Sequence, residues 1–402
     1  MPHTQCPAIK LPTERPSIFD PPAELGQLRQ QDPVTPLAFP DGHVGWLVTN
    51  FSAARTVLAD PRFSARQELH HHAPFDHPFG DQPISPAEPG FFIGMDPPDH
   101  SRYRKLLTKQ FTAHRVKQLV PRIEEIVEKR LDALEAAGPG SDLVAHFAVP
   151  IPTMMICELL GVPYTERDMF RHDAATFFRL DSTQEQAEGA YASMLRYLGG
   201  LVARKRAEPG GDDMLSGLLD GSDLSDEEIA VVALVVLIAG HETTSNMLGL
   251  GAFTLLSNPE QLARLRADPA LAEATVEEML RYLPLFRSGL MRTALVDLEL
   301  EGRQIKAGEC MVVHLSAANR DPERFDGDLD RLDVNRRSTG HLAFGHGVHQ
   351  CLGHQLARVE LQIAYTALLR RFPGLRLDVP ADEVPLRNDM AIYGVHSLPV
   401  TW

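Results

Sequence analysis

Cys351 sits in the run Phe344-Gly-His-Gly-Val-His-Gln-Cys-Leu-Gly353, and its surroundings are those of a reactive sulfur. Gly347 and Gly353 suit a tight turn and a close backbone approach. Beyond Gly353 the spacing of Leu356, Ala357, Glu360, Leu361 and Ile363 predicts a helix. A cysteine at a helix N-terminus meets backbone N–H groups and the positive end of the dipole, which favour thiolate and hence metal ligation. Two other readings compete. A free cysteine is often a small buried hydrophobe, and His346, His349, Cys351 and His354 have separations that would suit zinc. Phe344 has no use in either.

A second polar group interrupts an apolar segment. Ser225-Asp-Glu-Glu228 is a capping box, and the helix it opens runs to about Ser257, where Asn258-Pro259 ends it. That is about 32 residues, or ~48 Å. Val231–Leu237 is apolar all round and predicts burial all round. In the middle stands Ala239-Gly-His-Glu-Thr-Thr244. Buried polar side chains are costly unless bonded or used; Thr243 either bonds back to the Ala239 carbonyl or does chemistry with Glu242. A zinc-protease helix is excluded, because position 245 is Ser and not the second His.

The elements around these groups carry charge in pairs. Glu278 and Arg281 lie at i, i+3 on a helix beginning near Leu271, and His100 and Arg104 lie at i, i+4 on another. The chain has 402 residues, 44% hydrophobic and 23% charged, an ordinary globular composition. Its net charge of −15 argues against nucleic acid or an anionic membrane as partner. Met1–Pro16 lacks a secretory core, and the longest apolar run, Ile229–Ala239, falls short of the ~20 residues a bilayer requires. Cys6, Cys157, Cys310 and Cys351 show no disulfide framework, as in a reducing cytoplasm.

The loop ending at Gly353 resembles the haem-binding loop of cytochromes P450, Phe-x-x-Gly-x-x-x-Cys-x-Gly. The resemblance extends over the whole chain, through Ala239–Thr244, Glu278-x-x-Arg281, His100-x-x-x-Arg104 and Leu398–Trp402. It implies a mainly α fold with small β-sheets, the cytochrome P450 fold: one domain, 1–402, with a β-rich N-terminal side. It implies haem b (iron protoporphyrin IX) with Cys351 as the axial iron ligand, seated among Phe344, Gly345 and Gly353. His100, Arg104, Arg292 and His349 would hold the propionates, and Glu278, Arg281 and Arg331 would form a buried structural triad. Glu242 and Thr243 would be the catalytic pair, relaying protons and steadying oxygen.

The same resemblance places Phe91, Ile93, Val236, Ala239, Leu290 and Ile392 on the substrate pocket. The long stretch Ser64–Gly94, with His70, His71, His72 and His77 beside Phe75 and Phe79, would flank that pocket. Three consecutive histidines are ordinarily solvated; the sharper expectation makes His72 a distal iron ligand. The implied activity is monooxygenation of a bulky, mostly apolar molecule, a macrolide or other polyketide of the filipin-like kind, by a cytoplasmic monomer. Electrons would come from a ferredoxin and ferredoxin reductase, docking near Arg102, Lys105, Lys109, Arg115 and Lys117. A peroxide-driven peroxygenase and a non-catalytic haem sensor are the alternatives; the first is disfavoured by the presence of Glu242-Thr243.

Overall fold

A computed structural model describes residues 7–72, 74, 84–166 and 168–402. Phe75, Phe79, His77 and Cys6 lie outside the described residues. The long helix spans Asp226–Ser257. Ser225 caps it as the sequence predicts: its hydroxyl accepts from the Glu228 N–H, and the Glu228 side chain accepts from the Ser225 N–H. It is long and apolar enough to cross a membrane, yet most of its apolar window is buried inside the protein.

Two apolar clusters meet along this helix. Ile229–Ile238 packs with Pro150–Leu160 and Gln184–Ala207. Met247–Leu255 packs instead with Ala113–Ala137, Ala272–Tyr282 and His354–Arg371. The residues between them, 239–246, belong to neither cluster. The polar break in the sequence is therefore the seam between two cores, where a cavity costs little packing. Gly240 also serves the seam: a Cβ there would meet Ile156 Cδ1 at 2.8 Å.

The main sheet has five strands and is not purely N-terminal. Val34–Ala38 pairs antiparallel with Val44–Val48, which runs parallel to Cys310–Val313. That strand pairs antiparallel with Leu290–Ala294, which carries Arg292, and Phe63–Ser64 closes the far edge. The expectation of a β-rich N-terminal side thus holds only in part, since two central strands come from residues 290–313. The sheet brings Arg292 beside the loop that follows Phe63 and the helix Asp99–Thr108.

Candidate active site

A cavity of about 310 Å³ lies between the long helix and the helix after the cysteine loop. Cys351, Phe344, Gly345 and Gly353 line it, with Thr243, Thr244 and Gly240 opposite. Cys351 is the sole cysteine on its wall among the described residues. The loop beneath is fixed by backbone. Cys351 N–H donates to the Phe344 carbonyl at 2.8 Å, and Gly345 and Gly347 take positive φ of 68° and 74°. At Gly347 a Cβ would strike the Leu58 carbonyl oxygen at 2.5 Å, so only glycine fits. Gly353 has an ordinary φ, and a Cβ there would make only ordinary contact with the Phe111 ring at 3.8 Å; its N–H points at the Cys351 sulfur.

The protein alone does not favour the thiolate, contrary to the helix-dipole expectation. Burial pushes the Cys351 thiol up, and the Gly353 N–H, Arg104 and Arg358 only partly oppose it. The helix itself starts at His354, past the cysteine. A sulfur held this way becomes anionic when a cation binds it, which is the behaviour of a metal ligand.

Beside it lies a corner rich in cations and poor in anions. His100 has both ring nitrogens buried without a partner, and His349 Nε2 likewise; the two rings lie 4.1 Å apart. Arg104 donates to the Gln350 carbonyl at 2.6 Å and Arg292 to the Met291 carbonyl at 2.7 Å, neither to a carboxylate. Burial, then the positive charges around it, hold His349 down at about 3; burial and Arg104 hold His100 at about 4. Burial lowers Arg292 to about 10. Asp96 is the nearest acid acting on this group, and it is committed to Ser64 Oγ and the Ala65 N–H at 2.5 and 2.8 Å. Two histidines with unpartnered ring nitrogens and two arginines that meet only backbone carbonyls match the two propionates of haem, so the residues present fit that cofactor.

The long helix presents Thr243 to the cavity but not Glu242. Thr243 Oγ1 donates to the Ala239 carbonyl at 2.7 Å. Glu242, which is 3% exposed, accepts on Oε2 from Arg387 Nη2 at 2.9 Å and Asn246 Nδ2 at 3.0 Å. Sequence reasoning missed Arg387, which stands 145 positions away. It also missed Glu360 on the cavity wall, whose Oε2 has no partner and whose carboxyl burial raises to about 8. The spacing of the helix after the cysteine does put Glu360 on the same face as Leu356 and Ala357, a signal that was available.

Beneath the loop, Glu278 and Arg281 are wholly buried and doubly bonded, Nε to Oε2 at 2.7 Å and Nη2 to Oε1 at 2.8 Å. The third member is Arg336, not Arg331. Arg336 Nε donates to Glu278 Oε1 at 3.1 Å, while the Arg331 side chain is 83% exposed and reaches only Asp328 at 3.5 Å. The reason is local: Arg331 lies within the acidic turn Asp326–Asp333, and Arg336 follows it where the chain comes back to the helix. Ser338 Oγ completes the shell around Glu278. Neighbouring Glu277 forms a second anchor. Burial works against its carboxylate, but His341 and Arg358 more than offset that and hold it near about 2.

Of the expected pocket residues, Ile93, Val236, Ala239 and Leu290 line the cavity. Phe91 and Ile392 do not: Phe92 takes the wall position beside Ile93, and Ile392 pairs with Phe286, which lines the cavity in its place. The histidines also fall elsewhere. His71 Nδ1 meets Asp41 Oδ2 at 2.6 Å and stacks on His43 at 3.6 Å, and His70 Nε2 faces the Ser64 carbonyl at 3.5 Å. His72 is not among the residues lining the cavity. His70 and His71, which precede it, are both held on the sheet side.

The chain matches the family model described as "Cytochrome P450" over residues 177–391. It is 50% identical over 400 residues to cytochrome P450 105C1 of a Streptomyces species, covering 99% of this chain and 100% of the relative. It is 42% identical to pentalenic acid synthase of Streptomyces avermitilis, with 98% and 97% covered. The crystal structure of CYP105P1 in complex with filipin I superposes with a TM-score of 0.91 at 42% identity, covering 98% of this chain and 99% of that one. Likeness of this extent, joined to a cavity cysteine and a corner built for two carboxylates, establishes that the chain belongs to the cytochrome P450 family, a haem-thiolate monooxygenase with haem b as cofactor.

Proposed function

We propose that this monooxygenase hydroxylates a C–H bond of a bulky, mostly apolar natural product, a macrolide or other polyketide. Cytoplasmic ferredoxin and its reductase supply two electrons in this reading. Haem, when bound through a thiolate, supplies the O–O cleaving chemistry. The chain's own residues do the rest. Cys351 ligates the iron, and His100, Arg104, Arg292 and His349 donate to the propionates. Ile93, Val236, Ala239 and Leu290 exclude water and orient the substrate by shape. Thr243 spends its hydroxyl hydrogen on Ala239, which leaves its oxygen free to accept at the oxygen site. Glu242, one residue before it, brings the protons.

The observation that carries the reading is the set of donors at His100, Arg104, Arg292 and His349, none of them bonded to a carboxylate, beside the single cavity cysteine among the described residues. The substrate class rests on the apolar wall and on the relative crystallised with filipin I. Lys105, Lys109 and Lys117 are exposed and suit an acidic ferredoxin, whereas Arg102 and Arg115 are engaged by Glu228 and Asp212. The test is to titrate the purified holoenzyme with macrolides and related polyketides, following the Soret shift, and then to run turnover under labelled dioxygen with a ferredoxin system. One labelled oxygen atom in an alcohol product is expected. Equal product from hydrogen peroxide alone, without reductant, would overturn the electron-transfer part.

A further inference from the structure

Positive charge also collects behind the cavity wall, away from the propionate corner. Phe286 and Leu315 line the cavity, and the residues beside them are Arg287 and His314. Gly289 closes these two segments on each other: a Cβ there would lie 2.3 Å from the Val313 carbonyl oxygen and 3.2 Å from the His314 Cα. A C-terminal hairpin, in which Leu386 bridges Val395, packs on the same segment. Its Ile392 bridges Phe286, and the Tyr393 N–H donates to the Leu285 carbonyl at 2.9 Å. Arg15, from the N-terminal segment, lies over the Tyr393 ring at 3.8 Å and donates to the Pro284 carbonyl at 3.4 Å.

Arg15, Arg287 and His314 thus converge, and each has a donor to spare or only a carbonyl to meet. Arg15 Nη1 is buried without a partner. His314 is 2% exposed, and its Nδ1 accepts from the Ala317 N–H at 3.4 Å. The neutral ring therefore carries its hydrogen on Nε2, which is buried and unpartnered. Arg287 is half-buried, and its Nη1 meets the Asn388 carbonyl. Among the described residues neither arginine has a carboxylate partner. The acids in the neighbourhood are taken: Asp20 by Arg320 and Ser17, and Asp389 by His396 at 2.6 Å, with Arg179 at 3.8 Å. Tyr393 spends its hydroxyl hydrogen on the Ile18 carbonyl. The cluster is correspondingly strained. Burial lowers Arg15 to about 10 against the pull of Tyr393, with Arg287 and Arg320 lowering it further, and burial and then Arg15 hold His314 at about 4. Water can satisfy a donor but leaves like charges facing one another; an anion relieves both costs.

We propose that Arg15, Arg287 and His314 form a carboxylate subsite behind the Phe286–Leu315 wall, so that the substrate is an apolar molecule ending in a carboxylate. This rests on the apolar-substrate reading above and narrows it to an acid. The two arginines supply charge and the His314 N–H a hydrogen bond, while the apolar remainder lies along Ile93, Val236 and Leu290. A molecule pinned at one end presents a fixed carbon to Thr243, so the subsite sets the position oxidised as well as the affinity.

The test compares a charge with its absence on one skeleton. Ferric holoenzyme is titrated with decanoic, dodecanoic and hexadecanoic acids and with their methyl esters, following the Soret shift. The best acid should bind about ten-fold more tightly than its ester, the factor for one charge-assisted hydrogen bond. Acetate should compete with dodecanoate and leave methyl dodecanoate untouched, a comparison that needs no variant. Arg15→Gln and Arg287→Gln should each remove most of the acid's advantage without altering ester binding, and Arg287→Lys, which keeps the charge but loses the fork, should retain part of it. Equal affinity for acid and ester, or an acid preference that survives both glutamine variants, overturns the proposal. Esters and macrolides that bind while acids bind no better strike the subsite alone. Failure of every acid, ester and macrolide to move the Soret band strikes the apolar-substrate reading and the subsite with it.

Discussion

Glu278 and Glu242 are both buried, both face an arginine, and are held in opposite ways. Glu278 receives Arg281 through two bonds, Arg336 through a third, and the Asp333 N–H and Ser338 hydroxyl besides. Its first partner lies three residues along the same helix, so helix formation itself preorganises the pair. Glu242 has one oxygen bonded, and its cationic partner arrives from a hairpin that must fold against it. Breaking a buried pair leaves an uncompensated charge, so redundant donors protect Glu278 against the loss of any one of them, a protection that a single cationic partner does not give Glu242. The first cluster lies under the cysteine loop; the second lies at the seam of two cores, beside the cavity.

The largest expected effect breaks the Glu278 side of this comparison. Arg336→Ala should cost about 2–3 kcal/mol and weaken haem retention, measured by urea unfolding and by the carbon monoxide difference spectrum. Arg331→Ala should leave both unchanged. The reverse pattern would restore Arg331 to the triad.

Glu360 sharpens the comparison, being a buried carboxyl with no cation at all. Its folded value of about 8 lies above the 4.5 of an exposed carboxyl. The stability it contributes is therefore present in full below pH 4.5 and is lost as pH rises through 8, on the order of 3 kcal/mol or more. Glu360→Gln should flatten the stability profile across that window. A slope identical to wild type would mean that the carboxyl finds a partner in solution.

On the other side, Glu242→Gln should lower stability by only about 1–2 kcal/mol, since an amide can still accept from Arg387 and Asn246. Product formed per electron should nonetheless fall by ~10²-fold. A stability loss as large as that of Arg336→Ala would erase the distinction between the two pairs. The smallest effect is at the surface. Lys105→Glu should slow reduction by ferredoxin at low salt, and added salt should abolish the difference from wild type. Stopped-flow reduction that ignores both charge and salt would put the docking face elsewhere.

What was legible in the sequence was local. The cysteine loop, the Ser225 cap and the Glu278-x-x-Arg281 pair each depend on residues a few positions apart, where backbone geometry alone sets the contact. Arg336 was hidden by the acidic turn before it, whose path decides which arginine comes back to the helix. The Arg387–Glu242 pair spans 145 positions and exists only because a C-terminal hairpin packs on the long helix. Resemblance placed Phe91 on the wall, but the chain turns into a short 3-10 segment at Phe92–Gly94, and Phe92 lines the cavity instead. The sheet was misjudged for the same reason as the Arg387–Glu242 pair, since Leu290–Ala294 and Cys310–Val313 join it across most of the chain.

The corner formed by His100, Arg104, Arg292 and His349 divides the labour of loading between two kinds of recognition. Its donors read carboxylates and are indifferent to what occupies the centre of the ring, while Cys351 reads the metal and is indifferent to the ring's edge. A porphyrin without iron would therefore dock in the same orientation and compete for the same seat, held by its rim alone. Only the sulfur distinguishes a ring that carries a metal from one that does not, and burial holds its thiol up when no cation is beside it.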